Sequence, residues 1–254
     1  MALYMNGQEI SQSSGVPIAG VPISGATEPY IEEIYNSDGQ LISANMHGYD
    51  TIRSYMFRDC SNLALTSLPS GITSIGSNAF YGCPKLALTS LPSGITSIGS
   101  SAFQGCTNLA LTSLPSGLTS ISSYTFYSCA NLALTSLPSG ITSIGIGAFL
   151  NCSKLALTSL PSGITSISIS AFENCPKLAL TSLPSGLTSI GNNAFGKCTG
   201  LTSITFTGKP TSIANNVFNG CTNLTTINVP WANGAVANAP WGATNATIHY
   251  GYTG

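Results

Sequence analysis

The chain has 254 residues, of which only 6% are charged, and its formal net charge is −1. This composition excludes a surface that binds nucleic acid phosphates, because such a surface needs a stripe of Lys and Arg. No stretch has the ~20 consecutive apolar residues that a membrane-spanning helix needs, and residues 1–6 lack the basic and apolar regions of a secretory signal peptide. We therefore expect no nucleic acid partner and no membrane insertion. No signal peptide is visible, so either the sequence begins after one or the protein reaches its place by assembly inside the cell.

Residues 1–39 are predicted to form an N-terminal segment of their own, either a cap or an attachment to another protein. Seven of the eight acidic residues lie before Cys60, so this end has a different surface from the rest. Pro and Gly are dense between Gly15 and Gly25, which favours extended chain with turns. Residues 28–36 alternate as a strand does, and Asn36–Gly39 is predicted to turn the chain into a second strand from Gln40.

From residue 40 onward the chain is organised by a 23-residue period. A nearly identical unit, Leu-Ala-Leu-Thr-Ser-Leu-Pro-Ser-Gly-Ile-Thr-Ser-Ile followed by variable residues and Ala-Phe-x-x-Cys, begins at Leu63, Leu86, Leu109, Leu132, Leu155 and Leu178. A Phe and, three residues later, a Cys recur in register from Phe57 and Cys60 to Phe218 and Cys221. Such a period with Leu and Ile punctuation indicates a β-rich leucine-rich repeat solenoid. We predict about eight coils over residues 40–230, roughly 40 Å long at ~4.8 Å per coil.

Each coil is predicted to contain two short strands and one helical turn. In the first complete unit the strands are Leu65–Leu68 and Ile72–Ile75, separated by a turn at residues 69–71. Phe80 and Cys83 are spaced i and i+3, which suits a single helical turn facing the core. The sequence leaves open whether Thr66 and its equivalents face inward or outward.

Residues 231–254 are predicted to form a C-terminal cap. A repeat array needs one, because its last coil has no neighbour against which to bury its apolar face. The segment is rich in large apolar side chains that could cover that face, namely Trp231, Trp241, Tyr250 and Tyr252.

The eight cysteines raise the possibility of a disulfide framework. All of them occupy one position of the repeat, so their side chains are predicted to stack in parallel at roughly the ~4.8 Å strand spacing. A disulfide needs Cβ atoms about 3.8 Å apart and turned toward each other. We therefore predict an inward column of free thiols that act as small apolar residues. A straight column cannot form a tetrahedral metal cage either.

The array offers no set of residues for catalysis. General acid–base or nucleophilic chemistry needs a positioned titratable group with a partner. Between Cys60 and Trp231 there is one carboxylate, Glu173, and no His or Arg. The two histidines, His47 and His249, lie in opposite end segments. We predict no enzyme activity, no catalytic residue, no cofactor and no metal site.

The repeated Thr-Ser pairs have two interpretations. They could form flat ladders of hydroxyls that bind ice or a glycan. They could equally form a solvated strand face, built from residues that strands tolerate in a chain with few charges. The second interpretation is the one we prefer from the sequence.

The six copies differ mainly around the Phe and after the Cys, whereas the Thr-Ser pairs are identical in all six. Stacking these positions predicts a variable strip along one edge of the solenoid. Solenoid surfaces serve as binding faces, and aromatic residues are enriched where partners dock. The alternative is an edge where substitutions have no effect. We define the variable strip as Asn78, Tyr81, Lys85, Gln104, Asn108, Tyr124, Tyr127, Asn131, Lys154, Glu173, Lys177 and Asn193.

The unit Pro-Ser-Gly-Ile-Thr-Ser-Ile-Gly-x-x-Ala-Phe-x-x-Cys resembles the BspA-like leucine-rich repeats of bacterial surface proteins. The resemblance covers roughly residues 40–230, although Thr66 and its equivalents replace the aliphatic residue that is usual there. It implies a right-handed superhelix, capped at both ends, that serves adhesion or recognition without a cofactor. Residues 1–7 and 239–250 are similar to the ends of leucine-rich proteins encoded by phages and prophages of gut bacteria.

Three functions follow as hypotheses. The first is a phage or prophage tail component that assembles in the bacterial cytoplasm and binds a protein or glycan on the host cell surface. Its N-terminal segment would then attach to other tail proteins, and a homo-oligomer is possible. The second is a bacterial cell-surface adhesin, and the third is a structural spacer. The sequence identifies neither the ligand nor the host.

Overall fold

The computed structural model describes residues 3–5, 8–10 and 29–253. The repeats form a β-solenoid of about nine turns with the leucine-rich repeat fold, which confirms the predicted fold class. No helix long and apolar enough to cross a membrane occurs in the part of the chain that is described. The predicted turn-rich stretch at residues 15–25 lies outside the described residues. The strands are β1 (Leu3–Met5), β2 (Gln8–Ile10), β3 (Tyr30–Tyr35), β4 (Leu41–His47), β5 (Thr51–Ile52), β6 (Ser74–Ile75), β7 (Ser97–Ile98), β8 (Ser120–Ile121), β9 (Ser143–Ile144), β10 (Ser166–Ile167), β11 (Ser182–Leu183), β12 (Ser189–Ile190), β13 (Ser203–Phe206), β14 (Ser212–Ile213), β15 (Thr226–Val229) and β16 (Thr247–Tyr250).

Two antiparallel pairs lie before the repeats. β1 pairs with β2, and β3 pairs with β4 in the hairpin that the alternating residues 28–36 predicted. Asn36 closes this hairpin, because its side-chain oxygen accepts the N–H groups of Asp38 at 3.1 Å and Gln40 at 2.8 Å. β4 also contacts the first complete coil, where the N–H of Ala64 donates to the carbonyl of Ile42 at 2.9 Å.

One side of the solenoid, here called the strand side, is built from the Ile-Thr-Ser-Ile stretches. β5 to β7 form one parallel sheet, and β8, β9, β10, β12 and β14 form another. Each Ile pairs with the Ile 23 residues away, as Ile52 does with Ile75. These Ile side chains are buried and the Thr before each Ser-Ile pair is exposed. The predicted second strand of the coil is thus confirmed.

The predicted first strand of the coil is wrong for most of the central copies. A strand forms on that side at Ser182–Leu183 and lengthens in the diverged coils, at β13 and β15. In the central copies Leu65 is buried, whereas Thr66 and Ser67 are both exposed. There the N–H of Ala87 donates to Leu65 in the preceding coil at 3.0 Å, but those of Thr89 and Ser90 do not continue a ladder. In β13 the buried residues Ile204 and Phe206 alternate properly. The central Thr of each unit therefore faces outward.

The Ala-Phe-x-x-Cys segments are not helical turns, and this prediction is wrong. The described residues contain no helix. A helical N–H would donate to the carbonyl four residues earlier. Here the N–H of Phe80 donates instead to Ala102 in the next coil at 2.8 Å, while that of Tyr81 closes a turn to Asn78 at 3.2 Å. Each segment is therefore a series of tight turns hydrogen-bonded to its neighbour.

The core consists of columns that run along the solenoid. Consecutive Phe rings from Phe57 to Phe218 stack with centroids 5.3 to 5.7 Å apart. The thiols from Cys83 to Cys221 are free and buried, and each donates to the carbonyl of a Phe in the preceding coil, as Cys106 does to Phe80 at 3.0 Å. This is the inward column of free thiols that the repeat predicted.

A local fault interrupts the strand side between β7 and β8. In regular coils a Gly follows the Ile, and a Cβ at Gly99 would lie only 2.4 Å from the backbone nitrogen of Ser77. The third copy has Ser122 at this position, and its hydroxyl rather than its N–H donates to Ile98, at 2.8 Å. It also has the buried Thr125 where other copies have Ala. These larger side chains separate the two coils, and the Phe103–Phe126 spacing of 5.7 Å is the widest in the column.

The segment predicted as a C-terminal cap contains a further position of the 23-residue register. Trp241 lies 23 residues after Phe218, is fully buried, and accepts the Phe218 N–H at 2.9 Å. Its ring lies 5.6 Å from that of Phe206, and Trp231 lies 5.4 Å from the same ring. β16 then pairs in parallel with β15. These aromatic rings cover the apolar side chains of the last Phe-containing coil.

Candidate functional site

The variable residues lie mostly on one edge of the solenoid, here called the turn edge, which comprises residues 54–59, 77–82, 100–105, 123–128, 146–151, 169–174, 192–197 and 215–220. Its backbone is regular. The N–H groups of Asn78, Phe80 and Gly82 donate forward to the next coil at 2.8 to 2.9 Å. On the strand side the N–H groups donate backward, as Thr96 does to Thr73 at 2.9 Å. The N–H groups of the two sides therefore donate in opposite directions along the solenoid.

Two positions of the turn edge require a left-handed backbone, with φ between 53° and 76° in the complete central coils. Such a φ favours Gly and Asn over residues with bulky side chains. The first position holds Asn78, Ser101, Tyr124, Gly147, Ser170 and Asn193, and the second holds Gly82, Gly105, Ser128, Asn151, Asn174 and Lys197. Much of the variation at these positions is therefore among residues that tolerate this conformation, which the repeat alone did not reveal.

The structure separates the twelve residues of the variable strip into three rows. The rows of Asn78 and Tyr81 lie on the turn edge, and their members are half-buried apart from the exposed Tyr124. The third row follows the inward cysteines and lies beyond the turn edge. Its exposed members are Lys85, Asn108, Lys154 and Lys177, and Asn131 is half-buried. Within that row, Lys85 donates to the side chain of Asn62 at 2.6 Å. The strip is thus one edge with a separate flanking row.

At its N-terminal end the turn edge has a cluster of aromatic and charged residues. The guanidinium of Arg58 lies 5.0 Å from the ring centroid of Tyr81 and 5.6 Å from that of Tyr55, within the range of a cation–π interaction. Arg58 also pairs with Asp59 at 3.2 Å. Tyr55 is 56% exposed despite a φ of 63°.

In the middle of the turn edge lies an apolar patch. Tyr124 is 39% exposed, and its ring meets that of Tyr127 edge-on, with centroids 6.2 Å apart. In the next two coils Ile146 is 39% exposed and Ile169 is 50% exposed. The backbones are joined, because the N–H of Tyr124 donates to Ile146 at 2.8 Å. Three neighbouring coils thus present apolar side chains where other copies have Ser or Asn.

At its C-terminal end the turn edge is polar and charged. Lys197 pairs with Glu173 across neighbouring coils at 3.7 Å. Asn174 donates to the side chain of Asn151 at 2.9 Å. Exposed ion pairs of this kind contribute about 0–1 kcal/mol to stability, so they affect the charge of the surface more than the fold.

The Thr rows of the strand side are already hydrogen-bonded within the solenoid. The hydroxyls of Thr142, Thr165, Thr188 and Thr211 each donate to the carbonyl of the Thr one coil earlier, at 2.9 to 3.3 Å. These donors are not available to a ligand. The bonds therefore favour the solvated-face interpretation over an array that binds ice or a glycan.

The buried thiols are not reactive in the folded protein. Burial raises the pKa of Cys83 to about 12 and that of Cys221 to about 11. Burial likewise raises the pKa of Cys129 well above its ordinary value of 9.0. A thiol with so high a pKa is not the thiolate that reacts or binds metal. No group of His, Cys, Asp or Glu suited to a metal ion occurs in the described ranges.

Sequence reasoning missed several residues of the turn edge. Tyr55 and Arg58 belong to it, in a coil of residues 40–62 that lacks the Leu-rich opening of the unit. Ile146, Leu150 and Ile169 were left out of the variable strip because they are apolar. Their apolar character at positions that are elsewhere Ser, Asn or Gln was the signal that could have identified them.

The turns, parallel ladders and columns define a leucine-rich repeat solenoid, a scaffold class built from stacked supersecondary units. A family model for the BspA type leucine rich repeat region matches residues 33–156 and 119–239. The chain therefore belongs to the BspA-type leucine-rich repeat family. No curated protein matches its sequence.

Several solved structures are similar to this chain. A leucine-rich cell surface protein from Faecalibacterium prausnitzii shares 24% identity over 81% of this chain and 71% of its own, with a TM-score of 0.56. A leucine-rich repeat protein from T. pallidum shares 26% identity over 76% and 87%, with a TM-score of 0.49. One from Bacteroides ovatus shares 17% over 89% and 76%, with a TM-score of 0.47. The first of these likenesses supports the fold.

Proposed function

We propose that this protein is a non-enzymatic recognition protein whose turn edge contacts a partner on a bacterial cell surface. One observation carries the proposal. Four of the six exposed large hydrophobic side chains among the described residues, Tyr55, Tyr124, Ile146 and Ile169, lie on this edge. Exposed apolar side chains grouped on one surface and rimmed by polar residues mark interaction sites.

The invariance of the strand side supports the same proposal. Repeats that drifted freely would vary on both exposed sides, yet the outward Thr-Ser pairs are identical in six copies. Differences lie mainly on the turn edge and in the row that follows the inward cysteines. A solenoid that keeps its scaffold and changes one edge suits a protein that recognises a partner.

The place of this recognition has two candidates. Family membership favours a protein displayed on a bacterial cell. The similarity of residues 1–7 and 239–250 to the ends of phage-encoded proteins favours a virion tail, in which residues 1–39 would attach to other tail proteins. In either location the turn edge is the proposed contact surface.

Binding to cells tests the proposed function. The labelled full chain is incubated with the bacterial strain that encodes it and with bacteria of the same habitat, and flow cytometry measures the bound fraction. In the test variant, residues 123–128 and 146–151 are replaced by Ser-Ser-Ala-Phe-Gln-Gly, which is the turn edge of residues 100–105. Because that sequence is native to the neighbouring coil, the fold is expected to be retained. We expect cell binding to be lost.

A matched control changes the strand side instead. Thr119→Ser and Thr142→Ser keep the hydroxyls and alter an equal number of coils, and cell binding is expected to persist. If the turn-edge variant binds cells as well as the wild type does, the turn edge is not the recognition surface. Immunogold labelling of virions and of cell envelopes from the encoding strain decides the location, since label on tails or on envelopes alone identifies one candidate.

A further inference from the structure

The backbone at Tyr124 is unusual for an aromatic residue. Its φ of 57° belongs to the left-handed region, where the Cβ of an L-residue meets the following carbonyl at a cost of roughly 1–2 kcal/mol. The equivalent positions in the other five complete copies hold Asn, Ser or Gly. A bulky side chain held in a costly conformation and left exposed suggests that it has a use outside the fold.

The next coil provides a seat for the Tyr124 ring. A Cβ added to Gly147 would lie 2.6 Å from Cε1 and 2.7 Å from Cδ1 of this ring. The ring therefore rests directly on the glycine backbone, and any other residue at 147 would displace it. Tyr127 supports the ring from the side. The ring is thus held in place, with one face against the protein and part of its surface open to solvent.

The surroundings of this ring are free of charge. The turn edge contains no Asp, Glu, Lys or Arg in four consecutive coils, at residues 77–82, 100–105, 123–128 and 146–151. Charges lie at the two ends of this section, as the Arg58–Asp59 and Glu173–Lys197 pairs. Within it the polar groups are amides and hydroxyls, such as those of Gln104, Ser128 and Asn151.

These features favour an uncharged sugar over a peptide or a charged polymer. The C–H face of a pyranose ring is apolar and slightly positive, and it packs against the negative face of an aromatic ring. The hydroxyls of the sugar need neutral donors and acceptors around it, as the amides and Ser hydroxyls provide. A charged ligand would find no partner in this section. A ring that is fixed in advance also reduces the entropy lost on binding.

We infer that the charge-free section of the turn edge binds an extended, uncharged oligosaccharide, with one sugar stacked on Tyr124 and the chain running along the solenoid. The inference rests on the proposed function and specifies its ligand class. The four coils stack at ~4.8 Å, so the section offers an extended surface and not a single pocket.

Isothermal titration calorimetry with defined probes tests the inference. The probes are linear β-1,4-linked oligomers of glucose and of N-acetylglucosamine, from one to six rings, and acidic oligogalacturonates of the same lengths. We expect neutral oligomers to bind with an affinity that rises up to about four rings, the number of coils in the section. Tyr124→Ser is expected to weaken binding by about fivefold to tenfold through loss of the stacked ring, whereas Tyr124→Phe retains it.

A second variant changes Gly147, on which the Tyr124 ring rests. Its effect on binding can be told apart from a general effect on the fold. Gly147→Asn places a residue that two other copies have at this position, Asn78 and Asn193, yet its Cβ displaces the Tyr124 ring. We expect weaker oligosaccharide binding and no additional loss when it is combined with Tyr124→Ser. Ser170→Asn, at the equivalent position one coil beyond Gly147, serves as the control and is expected to leave binding unchanged.

The outcomes separate this inference from the proposed function. If no neutral oligomer binds, or if Tyr124→Ser leaves binding unchanged, the inference is wrong. If Tyr124→Ser then still abolishes binding to cells, the partner is a protein and the proposed function stands. If oligomers bind through Tyr124 but cells are not bound, the inference stands and the proposed function fails.

Discussion

The strand side and the turn edge of this solenoid are built from the same 23-residue units but obey different constraints. On the strand side every outward residue is the same in six copies, and the Thr hydroxyls bind the preceding coil. On the turn edge the backbone binds the following coil, and the outward side chains vary. The comparison shows that a repeat can bind its neighbours through the backbone on one edge and leave the side chains there free to change.

The largest effect is expected on the free energy of unfolding at alkaline pH, through the buried thiols of the core. Burial raises the pKa of the inward thiols, to about 12 at Cys83 and about 11 at Cys221, from an ordinary value of 9.0. Because the unfolded chain loses these protons first, their contribution to stability is complete below pH 9 and is lost progressively as the pH rises toward 12. We expect the free energy of unfolding, measured by urea denaturation, to fall steeply over this range.

The variant Cys152→Ala measures the share of one buried thiol. The slope of unfolding free energy against pH above pH 9 is expected to decrease by the equivalent of one proton. An unchanged slope would mean that the thiol column does not cause the alkaline loss of stability.

The next largest effect is expected from the aromatic column. Phe149 is fully buried and stacks on Phe126 at 5.5 Å and on Phe172 at 5.3 Å. Phe149→Ala is expected to lower the free energy of unfolding by about 3–5 kcal/mol. Its sequence neighbour Leu150, half-buried on the turn edge, provides the comparison, and Leu150→Ala is expected to have a clearly smaller effect. If Phe149→Ala and Leu150→Ala lower the free energy of unfolding equally in denaturant titrations, the Phe column is not the core of the solenoid.

A moderate effect is expected from repairing the fault between β7 and β8. The double variant Ser122→Gly/Thr125→Ala restores the residues of the regular copies, so the N–H of residue 122 can donate to Ile98 as Gly145 does to Ile121. We expect a gain of about 1 kcal/mol and slower hydrogen exchange at the amide of residue 122. Ser168→Gly is the control, because Ser168 already donates to Ile144 at 3.0 Å. If Ser168→Gly raises stability as much as the double variant does, the gain does not come from repairing the contact between β7 and β8.

The smallest effect concerns the left-handed positions. Asn78 has a φ of 56°, so Asn78→Ala is expected to destabilise the protein by about 1 kcal/mol, whereas Asn78→Gly changes stability by a few tenths. Thermal unfolding of both variants, with Ser77→Ala as a reference at a position without this constraint, measures the difference. Equal stability of Asn78→Ala and Asn78→Gly would show that backbone strain does not restrict variation on the turn edge.

The sequence by itself determined the period, the inward columns and one of the two strands of each coil. These features follow from residue spacing alone, because residues 23 apart that are repeatedly apolar must stack in a solenoid. The inward, free state of the cysteines followed from the same argument. The sequence also predicted a single variable strip, whereas seven of its twelve residues lie on the turn edge and five in the flanking row.

Tertiary structure alone decided how each coil binds its neighbours. The Ala-Phe-x-x-Cys spacing suited a helical turn, yet the N–H of Phe80 found its acceptor 22 residues away in Ala102. Likewise, the carbonyl of Trp241 accepted the Phe218 N–H, and Gly147 received the Tyr124 ring, only through contacts between coils. Each of these contacts joins residues about one full repeat apart, so local propensity contains no information about it. The spacing of the residues fixes which columns form, and the stacking of the coils fixes which groups remain exposed.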